Sequence, residues 1–91
     1  MSNTNTDFSS RCNILADLWL NYKGESEFED FIEYNDIGLP LAFSISQEII
    51  PASEMATRYV NETWDLFLES LGVKDTGYSS LDELLLGFDN S

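Results

Sequence analysis

SEMATRYVNETWDLFLESLG, residues Ser53 to Gly72, is the stretch that decides the fold. At 100° per residue, Ala56, Tyr59, Val60, Thr63, Trp64, Phe67, Leu68 and Leu71 gather on one half of a helical wheel. Glu54, Arg58, Asn61, Glu62, Asp65 and Glu69 gather on the other. The pattern predicts an amphipathic helix lying on a core. Pro51 breaks what precedes it, Ser53 offers a side-chain acceptor to a free first-turn N–H, and Glu54 complements the positive end of the helix dipole. Gly72 can close the last turn in the left-handed conformation, with Val73 packing back onto the helix. Exposed pairs such as Glu54 with Arg58 or Arg58 with Glu62 contribute only about 0.3 kcal/mol each. Burial of Trp64, Phe67, Leu68 and Leu71, at roughly 1.5 to 3 kcal/mol apiece, outweighs them.

Outward from this helix the chain reads as all-α, a compact bundle of four helices plus a short C-terminal helix. Residues 1–6 read as a flexible polar tail, 7–88 as a single helical domain and 89–91 as a frayed C-terminus. Asp7 caps a first helix running to about Lys23, with Phe8, Cys12, Leu15, Leu18, Trp19 and Tyr22 on one face and Gly24 as its stop. Ser26 and Glu29 form an S-x-x-E capping box for a second helix to about Asn35. Pro40 suits the first position of a third helix, residues 39–47, before an extended link from Glu48 to Pro51. Ser80 and Glu83 form another capping box, opening the last helix at residues 80–88. The expected core centres on Trp19, Phe43, Trp64 and Phe67.

Of the 91 residues, 17 are acidic and 4 basic, none is histidine, and the net charge is -13. That charge opposes direct binding to nucleic acid or to an anionic membrane and favours a protein with a basic surface. At 43% apolar the chain has the material for one core. No apolar run approaches the 18 or so residues that span a bilayer, and no basic-then-apolar leader opens the sequence. The single Cys12, on the apolar side of its helix, fits a reducing, cytoplasmic setting.

Catalytic chemistry finds little footing. Without histidine, and with one buried cysteine, the commonest general base and thiolate metal sites are lacking. The segment from Glu33 to Gly38 places a glycine sixth, as in a calcium loop, but its fifth residue is Ile37 and no glutamate stands twelfth. No phosphate loop, nucleophile elbow or dinucleotide fingerprint occurs. The reading is therefore a non-enzyme without cofactor or metal.

Two binding features stand out. Glu25, Glu27, Glu29, Asp30, Glu33 and Asp36 put six carboxylates into twelve residues with no basic residue among them. Repulsion between like charges at i,i+4 costs a few tenths of a kcal/mol per pair, so local helix stability does not account for them. They serve as a solvated coat or as a partner-binding face. The second feature is the L-x-x-L-L of the terminal helix, where Leu81, Leu84, Leu85 and Phe88 suit docking either on another protein or on the chain's own core.

The stretches Ile32-Glu-Tyr-Asn-Asp-Ile-Gly-Leu-Pro-Leu-Ala-Phe43 and Asn61-Glu-Thr-Trp-Asp-Leu66 resemble small acidic proteins of marine cyanobacteria and their phages. The resemblance carries no catalytic motif and no residue role. What it implies is a bacterial or phage regulator.

The leading expectation is a non-catalytic acidic interaction module, a small adaptor or regulator, whose partner is steered by charge and held by an apolar centre. Leu20, Tyr34, Leu66 and Leu86 fall off the core faces and are candidates for that centre. One alternative is a nucleic-acid mimic that inhibits a nucleic-acid-binding protein. Another is a homodimer pairing exposed leucines across a two-fold axis.

Overall fold

The structure, a computed structural model, describes residues 5–26 and 28–89, with the backbone alone for Asp89. Among these residues the chain is entirely helical: α1 Phe8–Asn21, α2 Glu29–Tyr34, α3 Gly38–Ser46, α4 Glu54–Leu71 and α5 Leu81–Asp89. The end signals of α4 work as the sequence predicts. Ser53 Oγ accepts the Ala56 N–H at 3.2 Å, and Gly72 sits at φ 71°, ψ 28°. From there the Gly72 N–H reaches the Glu69 carbonyl and the Val73 N–H the Leu68 carbonyl. Asp7 caps α1 by accepting the Ser10 N–H at 2.7 Å.

The amphipathic stripe of α4 buries Ala56, Val60, Thr63, Trp64, Phe67 and Leu68. Opposite it lie Cys12, Ile14, Leu15, Ala16 and Leu18 of α1 and Leu39 and Ala42 of α3. α3 packs chiefly on α1 and next on α4, and α5 leans on α1. α2 reaches the core through rings: Phe31 and Phe28 stand 5.4 and 6.3 Å from Phe67, and Tyr22 meets Phe28 edge to face at 5.5 Å. The molecule is about 18 Å deep in its thinnest direction, two helix layers.

Four expectations are corrected. Phe43 is only half-buried and lies outside the core, because it falls at the margin of the α3 face that Gly38, Leu39 and Ala42 bury. A Cβ on Gly38 would meet Thr63 Oγ1 at 1.8 Å, and Ala42, one turn on, continues that small-residue stripe. Trp19 is half-buried, a wall of the core and not its centre. Tyr59, at the margin of the α4 stripe, is exposed. The pairs of Arg58 with Glu54 and Glu62 do not form; the ion pair among the described residues is Arg11 with Asp75, at 3.6 Å.

Local starts also differ. No side chain caps α2, which begins three residues beyond Ser26. Phe28 instead inserts into the core after a turn closed by its N–H on the Glu25 carbonyl. The Leu39 N–H bonds the Asn35 carbonyl, so α3 grows out of the turn after α2 and Pro40 becomes its third residue. Glu48 is not extended but left-handed, at φ 59°, and ends α3 as glycine ends α4. In the terminal helix the Glu83 N–H bonds Ser80 Oγ as a capping box requires, while the Glu83 carboxylate turns to the N–H and hydroxyl of Ser79.

Thr6, read as the last residue of a flexible tail, is instead fixed in the fold. Thr6 is buried, and its N–H and hydroxyl both donate to Asp75 Oδ1 at 2.8 Å. Thr6 Oγ1 in turn accepts the Tyr78 N–H at 2.8 Å. The other Asp75 oxygen accepts Trp64 Nε1–H at 3.0 Å. One carboxylate thereby ties the start of the chain, α4 and the link before α5 together. Residues 1–4, 27, 90 and 91 lie outside the described residues.

Candidate functional site

The acid-rich segment divides once it is folded. Glu25 is exposed ahead of α2, Glu29, Asp30 and Glu33 project from α2 into solvent, and Asp36 is exposed in the turn that follows. Glu27 lies outside the described residues. Phe28, Phe31 and Ile32 orient the helix by holding its inner side, so the carboxylates have only the outer side to occupy. Glu29, Ile32 and Glu33 share a face at i, i+3, i+4 spacing. With Asp36, with Trp19 of α1 and with Lys23 and Gly24 of the turn after it, they line a cleft of about 320 Å³.

Trp19 and Lys23, which the sequence reading did not join to the acids, change the character of this cleft. The Lys23 ammonium stands 4.3 Å from the centroid of the Trp19 ring. A cation over an indole face is attracted by the ring quadrupole, by about 0.5 to 1 kcal/mol where water has access. The cleft therefore already holds one basic side chain over an aromatic plane, with carboxylates among its other lining residues. Trp19 lies on α1 and Lys23 four residues on, in the turn just beyond its end; their meeting with α2 depends on the turn at Gly24, where φ is 93°.

The terminal helix is assigned differently by the structure. Leu81 and Leu84 are buried in the chain's own core, and Leu85 and Phe88 are half-buried. The L-x-x-L-L pattern is thereby used internally, and the alternative docking helix is corrected to a core element. A short helix with one apolar stripe has no stability of its own and takes the nearest apolar surface.

Of the four off-face candidates, all exposed, two come together. Tyr34 and Leu66 line one groove of about 270 Å³, joined by Ile37 from the turn after α2 and Tyr59 from α4, over a floor of Gly38 and Thr63. Leu20 and Leu86 lie elsewhere. Sequence reading placed neither Ile37 nor Tyr59 in this groove, and it assigned Tyr59 to the core face of α4. The signal available was an isoleucine inside a turn and a tyrosine at the margin of an apolar stripe.

Groups able to do chemistry are placed structurally. Burial pushes the Cys12 thiol up to about 11, so it stays a thiol at neutral pH. Desolvation raises the Asp75 pKa, but the hydrogen bonds from Trp64, Thr6 and Gly77 outweigh it and hold the carboxyl below its ordinary range. Among the described residues no three histidine, cysteine or carboxylate side chains converge on a position that could hold a metal ion. No described helix is long and apolar enough to cross a membrane. No family model, curated protein or solved structure matches the chain.

Proposed function

We propose that this chain is a non-catalytic interaction module, a small adaptor or regulator whose partner is a protein with a basic surface. The observation that supports it most is the cleft lined by Glu29, Glu33 and Asp36 together with Trp19, over whose ring the Lys23 ammonium stands. A partner lysine or arginine entering there exchanges water for an indole face and carboxylates, and Lys23 swings aside. The net charge of -13 speeds the encounter with such a partner. The frame is a four-helix bundle closed by the terminal helix.

The row of carboxylates also admits the reading of a nucleic-acid mimic, since groups one turn apart on a helix lie about 5 to 6 Å from each other. α2 is only six residues long, so the row is brief, and its aromatic wall suits a side chain better than a phosphate-binding track. A homodimer is the third reading, the weakest because two chains of this charge repel.

Capture from nuclease-treated lysate, washed at rising salt, tests the proposal. Expected is a basic protein retained at low salt and lost when Glu29, Asp30 and Glu33 are replaced by lysine in a variant that still folds. Retention unchanged by that triple reversal sinks both the module and the mimic readings. A nucleic-acid-binding protein inhibited by the chain and freed by the reversal promotes the mimic.

A further inference from the structure

The groove between α2 and α4 is a feature that the acidic cleft does not absorb. Four large apolar side chains converge on it while facing water: Tyr34 is 82% exposed, Ile37 67%, Tyr59 42% and Leu66 41%. Single exposed apolar residues are ordinary on a protein surface; four lining one concavity are not. Gly38 and Thr63 form its floor, where α3 starts against α4. A Cβ on Gly38 would meet Thr63 Oγ1 at 1.8 Å, so the floor is tightly packed while the walls are long exposed side chains. At about 270 Å³ the groove falls below the range of roughly 300 to 1,000 Å³ usual for small-molecule pockets. It is sized for a few side-chain anchors.

We propose that this groove binds a basic amphipathic helix, whose apolar side chains seat between Tyr34, Ile37, Tyr59 and Leu66. Charge selects that occupant. The charged residue lining the groove is Glu62, and the chain neighbours of its walls include Glu33, Asp36 and Asp65, with Arg58 the basic exception. A second copy of the chain would bring acid against acid. It would also have only a small patch to bury, against the 1,200 to 2,000 Å² or so of a stable interface. A helix inserting two or three anchors needs far less. The groove and the acidic cleft share one segment: Glu33 and Asp36 line the cleft, while Tyr34 and Ile37 line the groove. A ligand with basic and apolar faces can therefore engage both sides of α2 at once. The inference rests on the basic-partner reading, to which it adds the place and shape of the apolar contact.

The test is titration of isotope-labelled full chain, followed by amide chemical shifts. The probe is a synthetic helical peptide with lysines on one face and leucines at i, i+4 and i+7 on the other, beside a scrambled peptide of identical composition. Expected are shifts at Tyr34, Ile37, Tyr59 and Leu66, with binding at least tenfold tighter than for the scrambled peptide. Tyr34→Ser and Leu66→Ser, at exposed positions that leave the fold intact by circular dichroism, should each weaken it about tenfold. Equal binding of both peptides, with shifts confined to Glu29, Glu33 and Asp36, overturns the groove and leaves the basic-partner reading standing. Absence of binding by either peptide at low salt overturns both. Self-association of the chain through Tyr34 and Ile37 replaces the helix with a second copy.

Discussion

Removing the Asp75 carboxylate strips the acceptor from Thr6 N–H, Thr6 hydroxyl, Gly77 N–H and Trp64 Nε1–H, and the partner from Arg11. Hydrogen bonds to a charged group contribute about 1.5 to 3 kcal/mol, and a donor left buried and unpaired costs a similar amount. Asp75→Ala should therefore cost about 3 kcal/mol in urea denaturation followed by Trp64 fluorescence, and a loss under about 0.5 kcal/mol would show the network to be dispensable. None of this is legible in the sequence, because the partners of Asp75 lie up to 69 positions away. Glu48 poses the opposite case. It holds a left-handed backbone conformation without being glycine, at φ 59°, which costs an L-residue roughly 1 to 2 kcal/mol. Glu48→Gly relieves that strain but adds about 0.5 to 1 kcal/mol of unfolded-chain entropy. The net expected is a gain of about 0.5 to 1 kcal/mol, read as a higher Tm; a lower Tm would mean that the Glu48 side chain stabilises the turn.

At the scale of elements, the sequence is most readable where local signals and burial agree. α4 has a capping serine, a closing glycine and an unbroken apolar stripe, and it forms between the expected ends. α2 shows the failure. Ser26 offers a cap, but burying Phe28 against Phe67 and Tyr22 is worth more than one hydrogen bond at a helix end, so the chain turns at Glu25 and the helix starts late. The exposure of Glu29, Asp30 and Glu33 was likewise readable, because they fall off the apolar stripe of α2. The groove was not, since a single helical wheel cannot show that Tyr34 and Leu66 of different helices meet. α5 gives the sharpest test, because its leucines could face inward or outward at the same spacing. Leu84 is wholly buried and Leu86 exposed. Leu84→Ala should then cost about 2 to 5 kcal/mol and Leu86→Ala less than about 0.5 kcal/mol in denaturant titrations. The reverse order would return the terminal helix to the role of a docking element.

The whole molecule carries 17 acidic against 4 basic residues, and its response to pH should be set by two opposed effects. Near neutrality the net charge of -13 destabilises the compact state by self-repulsion. Lowering the pH toward about 5 begins to neutralise carboxylates, and salt screens them over about 10 Å at 0.1 M, so either change should raise the Tm. Further acidification works the other way. Asp75, Asp7 and Glu83 all have pKa values held below their ordinary ones: desolvation of Asp75 is outweighed by its Trp64, Thr6 and Gly77 bonds, while Asp7 accepts from Ser10 and Glu83 from Ser79. A carboxyl whose pKa is lower folded than unfolded contributes stability that is complete above the unfolded value and lost as pH falls through the folded one. That loss begins below about 4, near the ordinary values of 3.8 for aspartate and 4.5 for glutamate. Thermal melts across pH 3 to 8 should therefore show a maximum at about pH 5, falling steeply on the acid side and gently toward neutrality. Added salt should flatten the neutral side alone. Asp75→Asn should blunt the acid side. A Tm that falls steadily from pH 7 downward would show that self-repulsion is negligible, and the acidic surface would then impose no stability cost that binding a basic partner could relieve.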